Sequence, residues 1–205
     1  MALGHDYELQ DCPIARALEL VGERWTLLVI RDCFVGVSRF NDFLAHLDIP
    51  KAILSARLEK LVAAGILRKK KYGPRQYDYL LTERGTSLWP MMYGIASWGD
   101  EHCAPSRGRR RMYCHINCGS DIDAHGACPK CNTFPAPDDI EIRNGPGAEL
   151  DLRHDPITKA LFSPRRLLAP LTASPSKTEA RASPNHSKPT PGKVRGGGKT
   201  SRLQR

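Results

Sequence analysis

The sequence predicts a mainly α-helical domain carrying one small basic β-hairpin, then a short Cys/His-stapled module, then an aperiodic tail. Three observations predict this. Apolar residues recur at helical spacing over about 8–104, interrupted at 66–81 by two strand-like runs joined through Gly73-Pro74. Four of the seven cysteines and two of the seven histidines fall in "YCHINCGSDIDAHGACPKC", Tyr113 to Cys131. From about 146 the periodicity fades, and the last stretch is rich in Ser, Pro, Gly and Lys. The boundaries expected are 8–104 for the helical domain, 112–145 for the stapled module and 146–205 for a largely disordered tail, within which "DPITKALFSPRRLLAPL" (155–171) holds a short apolar run suited to local packing at a site the sequence does not name.

The elements follow in order. Residues 13–21 read as a helix, with Cys12 at its cap and Pro13 in the first turn, which tolerates proline. "RWTLLVIRDCFVG" (24–36) is apolar on nearly all sides and reads as a buried central helix. Ser38 is placed to cap a third helix, 39–47. After a short link, Pro50 starts a fourth, and Gly65 stops it. "GILRKKKYG" and "RQYDYLLT" form the hairpin. Thr82 can cap a last helix reaching about Cys103, kinked near Pro90. Two helices joined by a tight link and followed by a basic hairpin are the layout of a winged helix-turn-helix. On that reading 50–64 is the recognition helix and 66–81 the wing.

On the fourth helix Ile53, Leu54, Leu58, Leu61 and Val62 form one stripe and are expected to pack inward. Ala52, Ser55, Ala56 and Glu59 lie opposite. Small side chains there let a backbone approach a major-groove floor, Ser55 can bond a base edge, and Glu59 can accept from a cytosine amine. Lys51 and Lys60 flank that face at phosphate positions. Arg57 falls between Ile53 and Leu61, so DNA contact and a structural ion pair both stand. In the wing, Lys69 and Lys71 share a face, and Arg75 sits at the turn. They are assigned to phosphates, against the alternative that lysines only guard a strand edge.

The charge is unevenly spread. Residues 1–105 hold 13 basic and 13 acidic side chains, 106–170 hold 10 and 8, and 171–205 hold 8 and 1. The net charge of +9 is therefore mostly a property of the tail, which either raises non-specific DNA affinity or only solubilises. The N-terminal residues do not have the pattern expected of a secretory leader, and no apolar run reaches membrane-spanning length. A soluble cytoplasmic protein is expected, in which clustered cysteines read as metal-binding or redox-active.

"CPIARALELVGERWTLLVIRD", "SRFNDFLAHLDIPKAILSARLEKLVAAGIL" and "YDYLLTERGTSLWPMMYGIASWGDEH" together resemble an HxlR-type winged-helix transcriptional regulator, a MarR-like group. The resemblance spans about 11–103. Its ordered marks are the Cys-Pro start, Gly-x-x-Trp at 22–25, Leu-Ser-x-Arg-Leu at 54–58 and Leu-Thr-x-x-Gly at 81–85. The wing turn "KYGPRQYDY" is shorter than the family's usual Pro-rich turn, which limits its reach toward a minor groove. The resemblance implies a homodimer through the first and last helices, bound to double-stranded DNA at a short inverted repeat. Trp89, Met92, Tyr93, Ile95, Ala96 and Trp98 agree with such an interface, or are only core. Cys12 matches a cysteine through which some members answer oxidants or electrophiles. Here it is either a sensor or an unreactive cap residue, and a helix N-terminus favours thiolate. Cys33 reads as a small core residue.

His115-x2-Cys118 and Cys128-x2-Cys131 have the spacing of zinc-ribbon knuckles, with Gly119 and Asn132 where a positive φ is needed. Three readings stand: a closed structural zinc site, a degenerate ribbon without metal, and a redox pair at Cys128 and Cys131. Cys114 is a rival to His115; the ribbon-like extension of some regulators in this group begins its first pair with His, which favours His115. The expected function is a dimeric DNA-binding transcriptional regulator that answers a small-molecule or thiol-reactive signal. Its rivals are a thiol–disulfide oxidoreductase and a protein-interaction adaptor. No phosphate-binding glycine loop or nucleophile elbow points to another enzyme.

Overall fold

Helix, helix, helix, helix, hairpin and helix follow one another as expected, and a small sheet then folds back on them. The computed structural model describes Tyr7 and residues 9–103 and 107–171. The helices are α1 (Pro13–Val21), α2 (Thr26–Phe34), α3 (Phe40–Leu47) and α4 (Lys51–Ala63). The wing is β1 (Leu67–Gly73) and β2 (Gln76–Leu81), followed by α5 (Glu83–Thr86) and α6 (Trp89–His102). The extension holds β3 (Arg111–His115), β4 (Ile140–Asn144), α7 (Pro156–Ala160) and β5 (Arg165–Arg166). Among the described residues no helix is long and apolar enough to cross a membrane.

The first two helices are set by their junction. Gly22 ends α1, its N–H bonding the Leu18 carbonyl at 2.7 Å. A Cβ at Gly22 would stand 2.6 Å from that same carbonyl oxygen. Trp25 takes a left-handed φ of 78° before α2, so α2 begins later than the expected residue 24. Val29, Ile30 and Phe34 are buried, which fits the all-round apolar character of this helix.

Two caps differ from expectation. Ser38 does not cap α3, whose N-cap is Arg39 with no side-chain bond. The Ser38 hydroxyl donates instead to Asp78 Oδ1 at 2.9 Å, and its carbonyl accepts from Tyr79 N–H at 2.8 Å. The serine therefore ties the chain before α3 to strand β2. The last helix is broken rather than kinked. Thr82 caps only α5, accepting from Gly85 N–H at 3.1 Å, and Pro90 lies in the first turn of α6. There its missing N–H removes no helical bond.

Gly65 closes α4 as expected. With φ at +67°, its N–H bonds Val62 O, and Ile66 N–H bonds Leu61 O, both at 3.0 Å. The chain enters the wing with Leu67 opposite Leu81 and Lys69 opposite Tyr79.

Residues 146–171, placed by the sequence within the tail zone with a short apolar run at 155–171 suited to local packing, are packed. β3, β4 and β5 form one antiparallel sheet in that order. Ile157, Leu167 and Leu171 are buried. Leu168 N–H bonds Phe34 O at 2.7 Å, and Leu171 N–H bonds Gly36 O at 2.8 Å. Gly36 (φ +92°) permits this approach, since a Cβ there would lie 1.9 Å from Ala169 O. The elements are too short, five residues at most, to leave a period in the sequence. Residues 172–205, with the rest of the predicted tail, lie outside the described residues.

Candidate DNA-binding surface and metal centre

Helix α4 is anchored by Leu54, Leu58 and Leu61, none with any exposed surface. This turns Lys51, Ala52, Ala56 and Glu59 to the exterior, with Ser55 half-buried among them. Ser55 Oγ lies 3.5 Å from Glu59 Oε1, one turn along the helix. Ile53 departs from the expected inward stripe and is 38% exposed, while Val62 is half-buried. The core takes the narrower stripe at 54, 58 and 61, and Ile53 falls off its edge.

Two basic residues of α4 are tied to the turn after α1. Arg57 forms an ion pair with Glu23 and donates from Nε to the Arg24 carbonyl at 3.3 Å. Lys60 Nζ lies 2.5 Å from Glu23 Oε1. Both cations thus also brace α4 against the α1–α2 junction.

In the wing, the cross-strand pairs sort the faces. Lys69 opposite Tyr79 and Lys71 opposite Tyr77 share one face. The Lys69 ammonium lies 5.9 Å from the Tyr77 ring and 5.7 Å from the Tyr79 ring. Lys70 stands opposite Asp78 on the other face. Arg75 occupies the turn with φ at +58° and is exposed. Between the wing tip and the start of α3 is a cleft of about 290 Å³ lined by Arg39, Asn41, Tyr72 and Arg75 among others. The Arg39 guanidinium sits 4.7 Å from the Tyr72 ring and 3.7 Å from Asp78 Oδ1. Sequence reasoning missed Arg39, because only the bridge from Arg39 to Asp78 brings it to the wing.

Apolar side chains remain exposed on the first and last helices, expected to pair two copies, and on α2 beside them. They include Ile14 and Leu18 of α1, Leu28 of α2, and Ile95 and Trp98 of α6. Trp89, Met92, Tyr93 and Ala96 turn inward to varying degrees, so the α6 stripe divides between core and surface. Cys12 is half-buried at the N-cap of α1 and makes no capping bond with its side chain. Cys33 is buried in α2, and burial pushes its thiol far up.

The second site is built on two matching turns. His115 O accepts from Cys118 N–H (3.3 Å) and Gly119 N–H (2.9 Å), with Gly119 at φ +72°. Cys128 O accepts from Asn132 N–H at 2.8 Å, with Asn132 at φ +53°. The turns bring His115, Cys118, Cys128 and Cys131 together, their ligand atoms all within 4.8 Å of one another. Cys118 Sγ lies 3.4 Å from Cys128 Sγ and 3.5 Å from His115 Nδ1. Zn–S bonds of about 2.3 Å in a tetrahedron bring sulfurs to about 3.8 Å, so one His and three Cys can hold a metal ion with little adjustment. Cys114 is not in the cluster; it is buried one residue earlier in β3. Asp123 serves the spacer turn, accepting from His125 N–H and Ala127 N–H at 2.9 Å each.

The cluster sets two of its thiols apart. Burial opposes ionisation of Cys128, but the Cys131 N–H, His115 and Cys118 outweigh it and bring the thiol down to about 6. Cys131, hydrogen-bonded to Cys118, is pushed up to about 11. The arrangement favours one thiolate ahead of the others, as suits capture of a cation.

Comparisons with known proteins agree with this geometry. Residues 20–107 match the profile of the HxlR-like helix-turn-helix family. An uncharacterized HTH-type transcriptional regulator of Mycobacterium tuberculosis, Rv3095, is 36% identical over 152 residues, covering 73% of this chain and 95% of that protein. The uncharacterized HTH-type regulator YdeP of Bacillus subtilis is 29% identical over 106 residues, 49% of this chain and 83% of that one. The crystal structure of PA1607, described as a candidate transcription factor, superposes with a TM-score of 0.53 at 28% identity. It covers 71% of this chain and 93% of its own.

Proposed function

Because the chain belongs to the HxlR family of helix-turn-helix transcriptional regulators, we propose that it acts as a homodimer on an inverted-repeat DNA operator. The observation that carries this is the exterior face of α4, small-sided at Ala52 and Ala56 and held in place by three buried leucines. Ser55 and Glu59 read base edges from that face. Lys51, Lys69, Lys71 and Arg75 hold phosphates, and Lys60 and Arg57 position the helix through Glu23 while adding positive charge beside it. Apolar residues exposed on α1, α2 and α6 support pairing of two copies through those helices. That places the two α4 helices about 34 Å apart, one turn of DNA.

The Cys/His centre is read as a structural zinc site. Four protein ligands leave no open coordination position for catalysis. The chain belongs to a family of regulators rather than enzymes, so Cys128 and Cys131 are assigned to the metal and not to disulfide exchange. Cys12 is the thiol to which a response to electrophiles is assigned, because it lies partly open on the helix expected to form the dimer.

Selection of DNA from a random library by the full chain, at physiological salt with competitor DNA, tests the reading. An enriched inverted repeat is expected. Ser55→Glu, which sets a charge against the groove, should abolish its binding without changing the circular dichroism spectrum. No enrichment by folded protein, or full binding by Ser55→Glu, would overturn the assignment of α4.

A further inference from the structure

Where the extension meets the helical domain it leaves a cavity of about 480 Å³. Phe34, Trp89 and Met92 line it from the helices, and Ile142, Leu161 and Leu167 from the extension. The size and the apolar, aromatic walls are those of small-molecule sites, which run from about 300 to 1,000 Å³. Its polar edge is strongly one-signed: Arg31, Arg110, Arg111 and Arg153 face it against the single carboxylate of Glu149, with His46 beside them.

Three of these arginines have protein partners. Arg31 bonds Asp32 Oδ1 at 2.6 Å, Arg153 bonds Ala45 O at 2.9 Å, and Arg110 bonds Cys103 O at 3.2 Å. Arg111 differs. Its Nη1 is buried and, among the described residues, has no hydrogen-bond partner. Among the described residues no hydrogen bond or ion pair is made by any part of its guanidinium, so of the four arginines at the cavity it is the one left to pair with an anion. Burial also holds the Arg111 pKa below the ordinary guanidinium value.

We propose that this cavity binds an organic monoanion, a carboxylate or sulfonate on an apolar body, with its head on Arg111 and its body between the helices and the extension. The body replaces water against Phe34, Trp89 and Ile142, while the head gives an anionic partner to the Arg111 side chain that lines the cavity. The site stands apart from the DNA reading; its use as a regulatory input rests on that reading. The link would run through α2, which lines the cavity and packs against α4. A ligand bound there changes operator affinity to the extent that it prefers one placement of α2.

Calorimetric titration of the full chain, without DNA, with decanoate, 2-naphthoate and uncharged decan-1-ol tests the site. At least one of the two carboxylates is expected to bind once per chain, at least tenfold tighter than the alcohol. Arg111→Met should remove that tenfold preference, and Arg111→Lys should keep it. Ala148→Trp, which fills the cavity from the extension, should abolish binding with the circular dichroism spectrum unchanged. No saturable binding of either carboxylate overturns the proposal. So does a preference for the anion that survives Arg111→Met. If a second copy's side chains fill the cavity, neither carboxylate binds and Ala148→Trp dissociates the dimer, which also overturns it. A chain that binds the anion but selects no DNA keeps this site and loses the regulator reading.

Discussion

Glu23 is the carboxylate that two cations of α4 answer, and under the proposed function that pairing shapes what each can do at DNA. Arg57 and Lys60 lie three residues apart on α4, and both reach back to it. The sequence showed Arg57 on the apolar flank and left its role open between DNA and structure. It could not show the partner, because Glu23 lies 34 positions earlier, on a turn whose path depends on Trp25 taking a left-handed φ. Lys60 was legible only as a flanking charge for the same reason. Replacing Glu23 by Gln should release both cations toward phosphate. Loss of the two partly exposed pairs should cost about 1 kcal/mol or less each. Operator and non-specific affinities should rise together, and the salt slope should steepen by about 0.9 for each new phosphate contact. Fluorescence anisotropy across a salt series reads this directly; an unchanged slope would mean that the pairs do not restrain the helix charges.

At the scale of elements, motifs that looked like punctuation prove to be packing constraints. In Leu81-Thr82-x-x-Gly85, Thr82 caps α5 and its hydroxyl donates to Gly65 O at 2.6 Å. A Cβ at Gly85 would stand 2.2 Å from Ile66 O and 2.8 Å from Leu81 Cδ2. Gly85→Ala must therefore shift backbone at the root of the wing, and should cost about 1–3 kcal/mol in a denaturant melt. Wild-type stability in that variant would show the contact to be soft. The junction of α3 with α7 was not legible, since α7 has five residues and no helical period. There His46 Nδ1 lies 3.2 Å from Thr158 Oγ1 and 3.5 Å from Asp155 Oδ1, and Nε2 lies 3.7 Å from Asp32 Oδ1. Burial lowers the His46 pKa below 6.5; Asp32 and Asp155 pull it up and Arg31 pushes it down. The unfolded chain then takes up the proton first. Stability should be level above pH 6.5 and fall as the pH drops below it toward the folded value. Asp155 acts in a separate, more acid window. Although burial opposes its ionisation, bonds from Thr158 and Arg153 bring its carboxyl down to about 2, so its contribution is present above 3.8 and is lost below. Denaturation midpoints between pH 5 and 8 should show a slope in the wild type that is reduced in His46→Gln. Parallel profiles would remove His46 as the source.

For the whole molecule, the question is whether the Cys/His module is an appendage or part of one fold. The sequence made it look like an appendage: the four clustered side chains were legible from their spacing, and the winged helix was legible from its own periodicity. What joins them was not legible, because the joining contacts link residues far apart in the chain. Tyr113, two positions before the clustered His115, packs edge-on against Trp89 and Tyr93 of α6 at 5.8 and 5.2 Å. Trp89 in turn meets Phe34 of α2 at 5.2 Å. Tyr93 OH donates to Asp123 O, in the spacer between the two ligand pairs, at 2.6 Å. The buried core runs without a break from Val29 and Phe34 to Ile122 and Ile140. Under the proposed zinc reading, a metal at the cluster acts on α6 through β3. Freshly purified chain is expected to hold about one zinc, and Cys128→Ser with Cys131→Ser should lose it. Structural zinc supplies on the order of 10 kcal/mol to the folding of small modules, of which a module with its own apolar contacts needs only part. Chelation should then lower the melting temperature and redden tryptophan emission, because Trp89 loses the Tyr113 wall. DNA affinity should fall in parallel, since the proposed dimer helix and the metal module share that wall. Zinc loss that leaves melting, emission and DNA binding unchanged would reduce the module to a passenger on a winged helix that folds without it.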